Sequence, residues 1–559
     1  MKTGKRTSQV ISIGLDGGTF DLMDPWLRKG HLPNIERLVR EGTRATLNSV
    51  ILPFTPQAWG SFMTGMNPGN HGVFGFKEKS ASNYSFQLVN NRSIKSKTLW
   101  SYLSEQGRRV ILVNIPMTFP PEEVNGVIIA GMDAPGVDSD FTFPASIKAE
   151  VLDVVKDYTI HLHVGAGYLD SDKKRREAAV ELINMVEGRE QLILHLMEKY
   201  PWDFFAVNFS SIDQVQHHFW KYIGGDNEFS DVVLRVYKRV DEAIGKIRAR
   251  LTPETTLFMM SDHGSGPATP YVIFIDEWLR ENGFLAFKSS FSVRRVMSTL
   301  VNFALSALSQ KSSSQFKDLL MRWFPGLRAK SQGYVRRSLI DWSRTAAYSG
   351  EHPSTVRINL KGRDAFGTVD PGDYERVRDE LIGKLELLKH PETGECLIER
   401  VYRREEIYSG DYLNVAPDLI IHPKDFAHQV RGGPYPGRHY GRVVSEKSSR
   451  EFYVNGVHRL NGIFLAVGEG VRANYIAAPL SIIDLFATIL YSLGMKVPRA
   501  VDSKVAVEVF EEDHLANQPV CYCDHPMKRG VATSWDGINY EEDDSKIVEQ
   551  ALRELGYID

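Results

Sequence analysis

Val10-Ile11-Ser12-Ile13-Gly14-Leu15-Asp16-Gly17-Gly18 is a short β-branched run that ends on an acid and two glycines. An apolar strand closed in this way is the usual layout for a residue at the carboxyl edge of a parallel sheet, where ligands bind in open α/β folds. Gly17 and Gly18 permit a tight turn around whatever Asp16 holds. The plainer alternative is a strand-to-loop turn in which Asp16 is only the turn former.

The segments that follow alternate helices and strands. Residues 32–42 have apolar positions at helical spacing with Gly42 as a stop, and 45–51 can run as a strand. Residues 97–106 read as a helix, 109–114 and 126–131 as strands, and 175–199 as a long amphipathic helix. Phe204-Phe205-Ala206-Val207-Asn208-Phe209 is then a buried strand, and Thr255-Thr256-Leu257-Phe258-Met259-Met260 another. Such alternation predicts an α/β fold, a mainly parallel central sheet flanked by helices.

Chemistry-bearing residues stand at the ends of these strands. Phe54-Thr55-Pro56-Gln57-Ala58-Trp59-Gly60-Ser61-Phe62-Met63-Thr64-Gly65 reads as a turn that presents Thr55 at the start of a helix. Free backbone N–H groups and the helix dipole there favour an incoming anion. Thr55 is the candidate nucleophile; a Thr before Pro is also the ordinary N-cap. After the 204–209 strand, Asp213 and His217 are four residues apart, so a helix puts both on one face, with His218 rotated away. After the 255–260 strand, Ser261-Asp262-His263-Gly264-Ser265-Gly266 releases an adjacent Asp and His into a Gly-rich turn. Asp16, Asp213 with His217, and Asp262 with His263 are oxygen and nitrogen donors suited to zinc or a similar transition metal.

Composition limits the alternatives. The chain has 559 residues, 42% apolar and 25% charged, which is ordinary for a large folded protein with room for additions to its core. Its formal net charge of -3 gives no global reason to expect a nucleic acid polymer as partner. Three cysteines, Cys396, Cys521 and Cys523, are too few for a disulfide framework. Cys521-Tyr522-Cys523-Asp524-His525 lacks a second cysteine pair and reads as a loop rather than a metal site. Residues 1–9 are polar and basic with no signal-peptide core, and no apolar run reaches 18 residues, 296–308 being the nearest. The expected location is the cytoplasm.

Taken together, the Asp16-Gly-Gly strand end, Thr55 nine residues before Thr64-Gly65, Asp213-x3-His217 and Ser261-Asp262-His263-Gly264 resemble the alkaline phosphatase superfamily. The branch they resemble is the type I phosphodiesterase/nucleotide pyrophosphatases, over residues of about 10 to 500. The resemblance implies a metal-dependent phosphoric ester hydrolase with two divalent ions, zinc first and manganese as an alternative. Asp16, Thr55, Asp262 and His263 would surround one ion, and Asp213 and His217 the other, with one more histidine. For that histidine His458 is chosen because it precedes the apolar strand 463–468; His439 is the runner-up. Thr55 would attack phosphorus, leave a phosphothreonine that water hydrolyses, and so retain configuration. The substrate would be a small anionic phosphate ester, a diester before a monoester.

The pattern departs from its relatives in places. Nucleotide-acting members carry an Asn shortly after the His-Gly that follows the nucleophile, whereas Val73-Phe74-Gly75-Phe76 has no amide. The sulfatase signature is missing from Thr55-Pro56-Gln57-Ala58-Trp59, and Thr55 replaces the serine of the phosphoglycerate mutases. A phosphomutase and a non-catalytic phosphate- or lipid-binding relative are the alternatives.

The strand-helix rhythm breaks at 275–344. Residues 288–344 hold 11 Lys and Arg against two acids, Asp318 and Asp341, with helical spacing at 296–308 and 316–324. A basic helical cap is expected there, drawing in an anionic substrate or facing an anionic lipid surface, or simply a solvated basic face. The expected organisation is a hydrolase core at 1–274 and 345–505, the cap between them, and a polar C-terminal tail at 506–559. Within the second core segment, 355–360 and 418–422 read as strands, and 372–387 and 479–493 as helices.

Overall fold

The computed structural model describes residues 8–80, 83–162, 171–288, 337, 339–433, 440–442, 455–529, 540–554 and 558. The central sheet runs through Tyr475–Ile476, Thr43–Asn48, Asn461–Val467, Thr255–Met260, Gln9–Gly14, Phe204–Asn208, Val110–Ile115, Gly126–Ala130 and Thr142–Phe143, in that order. Gln9–Gly14 is parallel to both of its neighbours. The parallel set continues through Val110–Ile115 to Gly126–Ala130. Asn461–Val467 and Thr142–Phe143 run antiparallel to the strands beside them. The expected α/β architecture, a mainly parallel sheet flanked by helices, is what the chain forms.

Alternation along the strands explains the layers. Val10, Phe204, Ala206, Phe258 and Met260 face one apolar cluster, and Ile11, Ile13, Phe205, Val207, Leu257 and Met259 face the other. Helices Thr55–Thr64, Leu99–Glu105 and Leu485–Ser492 cover the first face through Trp59, Phe62, Trp100 and Phe486. Helices Pro33–Glu41, Asp172–Lys199 and Val232–Arg248 cover the second through Ile35, Leu182, Val186 and Val236. Each fully buried phenylalanine contributes about 2 kcal/mol of transfer free energy, which is why both faces of these strands are apolar.

One helix expected from spacing is shorter than the spacing suggests. Within 479–493, Leu480–Ser481 pairs with Leu47 and Asn48 at the sheet edge, and Ile482–Asp484 is a single tight turn. Only Leu485–Ser492 is α-helix. Apolar side chains at helical spacing cannot report an edge strand that borrows one of them, Leu480.

The strands at Thr355–Ile358 and Leu419–Pro423 join a separate four-stranded sheet, ordered Ala347–Ser349, Thr355–Ile358, Leu419–Pro423, Ile398–Arg403, antiparallel throughout. This module has its own core, in which helices Tyr374–Glu386 and Ile275–Glu281 contribute Leu381, Leu385, Trp278 and Leu279. It is tied to the loop before Thr55: Tyr408 donates to Ile51 O at 2.7 Å, and the rings of Phe54 and His352 are 4.1 Å apart. The C-terminal segment packs as well. Phe510 and Met527 are buried in one face's cluster, and Val548 and Leu552, on helix Glu542–Glu554, in the other's.

No described helix is long and apolar enough to cross a membrane. The helices expected at 296–308 and 316–324, and His439, lie outside the described residues.

Candidate active site

Three parallel strands deliver their carboxyl ends to one place. Gln9–Gly14 leads to Asp16, Phe204–Asn208 to helix Ser211–Phe219 with Asp213 and His217, and Thr255–Met260 to Asp262 and His263. His458 arrives from far along the chain because Gly456–Arg459 pairs antiparallel with Gly264–Pro267, setting His458 opposite Ser265. Asp16, Asp213, Asp262, His263 and Thr55 are all buried. Gly17 makes the approach possible. Its φ of +65° is in the left-handed region, and a Cβ there would stand 2.7 Å from Asp213 Oδ1.

The imidazoles are oriented by their backs. The Nδ1 of His217 lies 2.7 Å from Gly456 O, that of His458 2.7 Å from Pro53 O, and that of His263 3.0 Å from Gly264 O. A carbonyl only accepts, so each Nδ1 is the donor, and each ring turns its Nε2 into the site. His217 Nε2 is 3.2 Å from Asp213 Oδ2, and His458 Nε2 is 3.6 Å from Asp213 Oδ1. His263 Nε2 is 3.3 Å from Asp262 Oδ2 and 3.8 Å from Asp16 Oδ1. Two sets of donors converge: Asp16, Asp262 and His263, and Asp213, His263 and His458, with His263 common to both. The rings of His263 and His458 stack at 3.6 Å.

Without a cation, this arrangement is electrostatically expensive. Burial, and then the charges of Asp262 and Asp213, push the Asp16 carboxyl well above its usual range. Burial and Asp213 push Asp262 up to about 8. Asp213 goes the other way: burial opposes its charge, but His217, His458 and His263 outweigh it and hold the carboxyl well below the usual range. Burial works against a charged His217 too, yet Asp213 raises it, whereas burial and His263 hold His458 well below its ordinary value. His217 Nε2 and His458 Nε2 are 3.0 Å apart, a contact that needs a proton or a cation between two nitrogen lone pairs. Asp16 Oδ1, Asp262 Oδ2 and His263 Nε2 are buried with no hydrogen-bond partner. Such groups are costly unless something positive lies among them. Carboxylate oxygens and imidazole nitrogens with backbone-anchored rings fit divalent cations of the zinc type.

Thr55 is the first residue of helix Thr55–Thr64, and the cap position before it is Phe54, with no side-chain cap bond. A capping threonine would accept an amide hydrogen bond. Thr55 Oγ1 is buried and makes none. It stands next to the segment whose Pro53 carbonyl orients His458.

Asn208 is a site residue that sequence reading passed over. It ends its strand inside the site and donates from Nδ2 to Asp16 Oδ2 at 2.7 Å. An amide at the last position of an otherwise apolar strand was the available signal. Gln216 and Ser265 both donate to Gly17 O, at 3.0 and 2.9 Å, and fix the turn after Asp16. Asn208→Leu should lower kcat roughly 10- to 100-fold with weakened metal binding, the usual effect of losing a partner that orients a ligand. Metal titration alongside steady-state kinetics checks it; full activity in the variant would mean that Asp16 needs no orientation.

The described cysteines are free: Cys396 and Cys521 are exposed, and Cys523 is half-buried. His525 sits 2.9 Å from Glu105.

Comparison with known proteins follows the same line. The sequence model of the family described as type I phosphodiesterase / nucleotide pyrophosphatase matches residues 10–432. No curated protein sequence matches the chain. Among solved structures, phosphonoacetate hydrolase from Sinorhizobium meliloti 1021, in complex with phosphonoformate, aligns with a TM-score of 0.51 at 14% identity, over 88% of this chain and 97% of its own. Human ectonucleotide pyrophosphatase / phosphodiesterase 5 aligns with a TM-score of 0.49 at 13% identity, over 90% of this chain and 100% of its own. The match over residues 10–432 makes the chain a member of the type I phosphodiesterase / nucleotide pyrophosphatase family, hydrolases of phosphoesters.

Proposed function

We propose that this hydrolase cleaves a phosphodiester through a covalent phosphothreonine ester on Thr55, with two divalent ions, zinc first, as cofactors. Asp16, Thr55, Asp262 and His263 would hold one, and Asp213, His217 and His458 the other. The observation that carries the reading is the set of buried atoms without a hydrogen-bond partner, Thr55 Oγ1 together with Asp16 Oδ1, Asp262 Oδ2 and His263 Nε2. A protein that only bound phosphate would have no need of both a nucleophile and two sets of ligands.

When bound, such ions supply Lewis-acid stabilisation of phosphoryl charge and lower the pKa of a nearby hydroxyl. The chain does the rest. The positive end of helix Thr55–Thr64 meets the phosphoryl group, and the helix's first residue carries the nucleophile. Oγ1 attacks phosphorus, one ester oxygen departs as the alcohol, and water then releases the phosphomonoester from Thr55, splitting one displacement into two. The segment from Val73 to Phe76 offers apolar side chains, with Phe74 packed 5.3 Å from the ring of Tyr408, where an amide would suit a nucleotide. The reading is therefore a phosphodiester without commitment to a nucleoside.

Metal analysis of the purified protein with hydrolysis of bis-p-nitrophenyl phosphate and p-nitrophenyl phosphate tests it. About two ions per chain and a chelator-sensitive preference for the diester are expected. Bound ions with monoester turnover alone would turn the reading to a phosphatase or mutase, and a protein free of metal would make it a binding relative. His458→Ala should lose about one ion per chain; unchanged content would remove His458 from the ligand set.

A further inference from the structure

Beside the site lies a second, larger space that the chemistry above leaves unused. The cleft over His217 and His458, about 110 Å³, is bounded by Phe54, His352, Pro353 and Ile558. His352, Pro353 and Ile558 also line a neighbouring cavity of about 440 Å³, so the two share a wall. That volume is in the range of small-molecule sites.

The wall of the larger cavity has a specific chemistry. Trp342 and Tyr84 stack at 3.6 Å between ring centroids, and Phe366 continues the stack at 6.2 Å from Tyr84. Phe366 is nevertheless 64% exposed, an aromatic face left to solvent at a cavity rim. Opposite in character is Arg337, whose guanidinium lies 3.7 Å over the ring of Phe86. Its Nη2 donates to Gly350 O at 3.0 Å, while Nη1 is buried with no hydrogen-bond partner. Burial brings Arg337 down to about 10, so it is still charged at neutral pH.

The acids around the cavity are already committed. Glu549 pairs with Lys77 at 3.1 Å, Glu351 holds Arg357 at 2.9 Å, and Asp276 accepts from the backbone N–H groups of Gly433 and Ser349. No carboxylate among the described residues lies within ion-pair distance of Arg337. Asp276 and Glu351 favour its charge only through space, so the spare N–H of this buried guanidinium is met in full when an oxyanion arrives.

We infer that this cavity binds one arm of the phosphodiester, a flat apolar group that bears a second oxyanion, with the stack of Trp342, Tyr84 and Phe366 receiving its face and Arg337 its charge. The inference rests on the phosphodiesterase reading and gives it a substrate class. It also gives one of the 11 basic residues of 288–344 a defined task.

Two esters that differ only in the second charge test it: phenyl p-nitrophenyl phosphate and 4-carboxyphenyl p-nitrophenyl phosphate. The wild-type protein should favour the carboxylated ester in kcat/KM by about tenfold or more, the worth of one charge-assisted hydrogen bond. Arg337→Gln should bring that ratio to about one, and Arg337→Lys should restore part of it. Phe366→Ala, at an exposed position where folding is not at stake, should raise KM for both esters. A ratio near one in the wild type, or a preference that survives Arg337→Gln, would overturn the inference. Calorimetric binding of 4-carboxyphenyl phosphate, the product, separates the two readings. Binding that depends on Arg337 without turnover of either ester keeps the pocket and discards the phosphodiesterase; turnover with product binding indifferent to Arg337 does the reverse.

Discussion

Thr55→Ala leaves the protein folded and takes kcat/KM for a phosphodiester down by roughly ten-thousand-fold or more, the scale on which removing a covalent nucleophile acts. The fold survives because Oγ1 makes no hydrogen bond, so its loss strands no partner, and deleting one small branch from a packed position costs about 1 kcal/mol. Metal content should fall only in part, because Asp16, Asp262 and His263 remain in place. Thr55→Ser, which keeps the hydroxyl, should retain measurable turnover. Steady-state kinetics with thermal denaturation and metal analysis check all three. An alanine variant within tenfold of wild type would mean that water, not Thr55, attacks phosphorus.

Asp262→Asn has the second largest expected effect, and it splits stability from activity. Its carboxyl is at about 8 in the folded, metal-free chain against an ordinary 3.8. Between those values the folded state holds a proton that the unfolded state has lost, so the metal-free stability contributed here falls as pH rises from about 4 to about 8. Asp16 is shifted in the same direction, by burial and then the charges of Asp262 and Asp213. Shifts of this kind amount to a few kcal/mol, order of magnitude, across the window. Chelated wild-type protein should therefore lose thermal stability towards pH 8, and adding zinc should restore it, with the largest gain at the alkaline end. Asp262→Asn carries no charge there. Its chelated form should melt above chelated wild type at pH 8, gain less from zinc, and turn over at least a hundredfold more slowly, as expected when a ligand is removed. Thermal melts at pH 5 and pH 8, with and without chelator, read this directly. A variant with the wild-type pH slope would show that Asp262 is not the group under strain.

Much of the site is legible in the sequence because parallel sheets place their functional residues by rule. Asp16, and Asp262 with His263, follow β-branched or apolar runs directly, and Asp213 and His217 are related by one helical turn. Those relations are local. His458 depends on the pairing of Gly456–Arg459 with Gly264–Pro267, almost two hundred positions apart, and nothing in its own neighbourhood determines that register. Asn208 looks like the last residue of a strand until Asp16 is seen 2.7 Å away. The sheet containing Thr355–Ile358 and Leu419–Pro423 shows the same limit: both segments read as strands, but their partners are Ala347–Ser349 and Ile398–Arg403. Composition reports that 288–344 is basic, while the placing of Arg337 over Phe86 beside a cavity is a tertiary fact. In sequence Thr55 reads as cap or nucleophile alike, and only the structure shows that its oxygen accepts from no amide, which argues against the cap.

The most direct test of covalent hydrolysis at Thr55 is acid quenching during turnover of bis-p-nitrophenyl phosphate, followed by peptide mass spectrometry. The account predicts a nitrophenylphosphoryl group on Thr55 in the wild-type protein, lost with chelator and missing from Thr55→Ala. Turnover at full rate with every peptide unmodified, or a phosphoryl group on another residue, would contradict it.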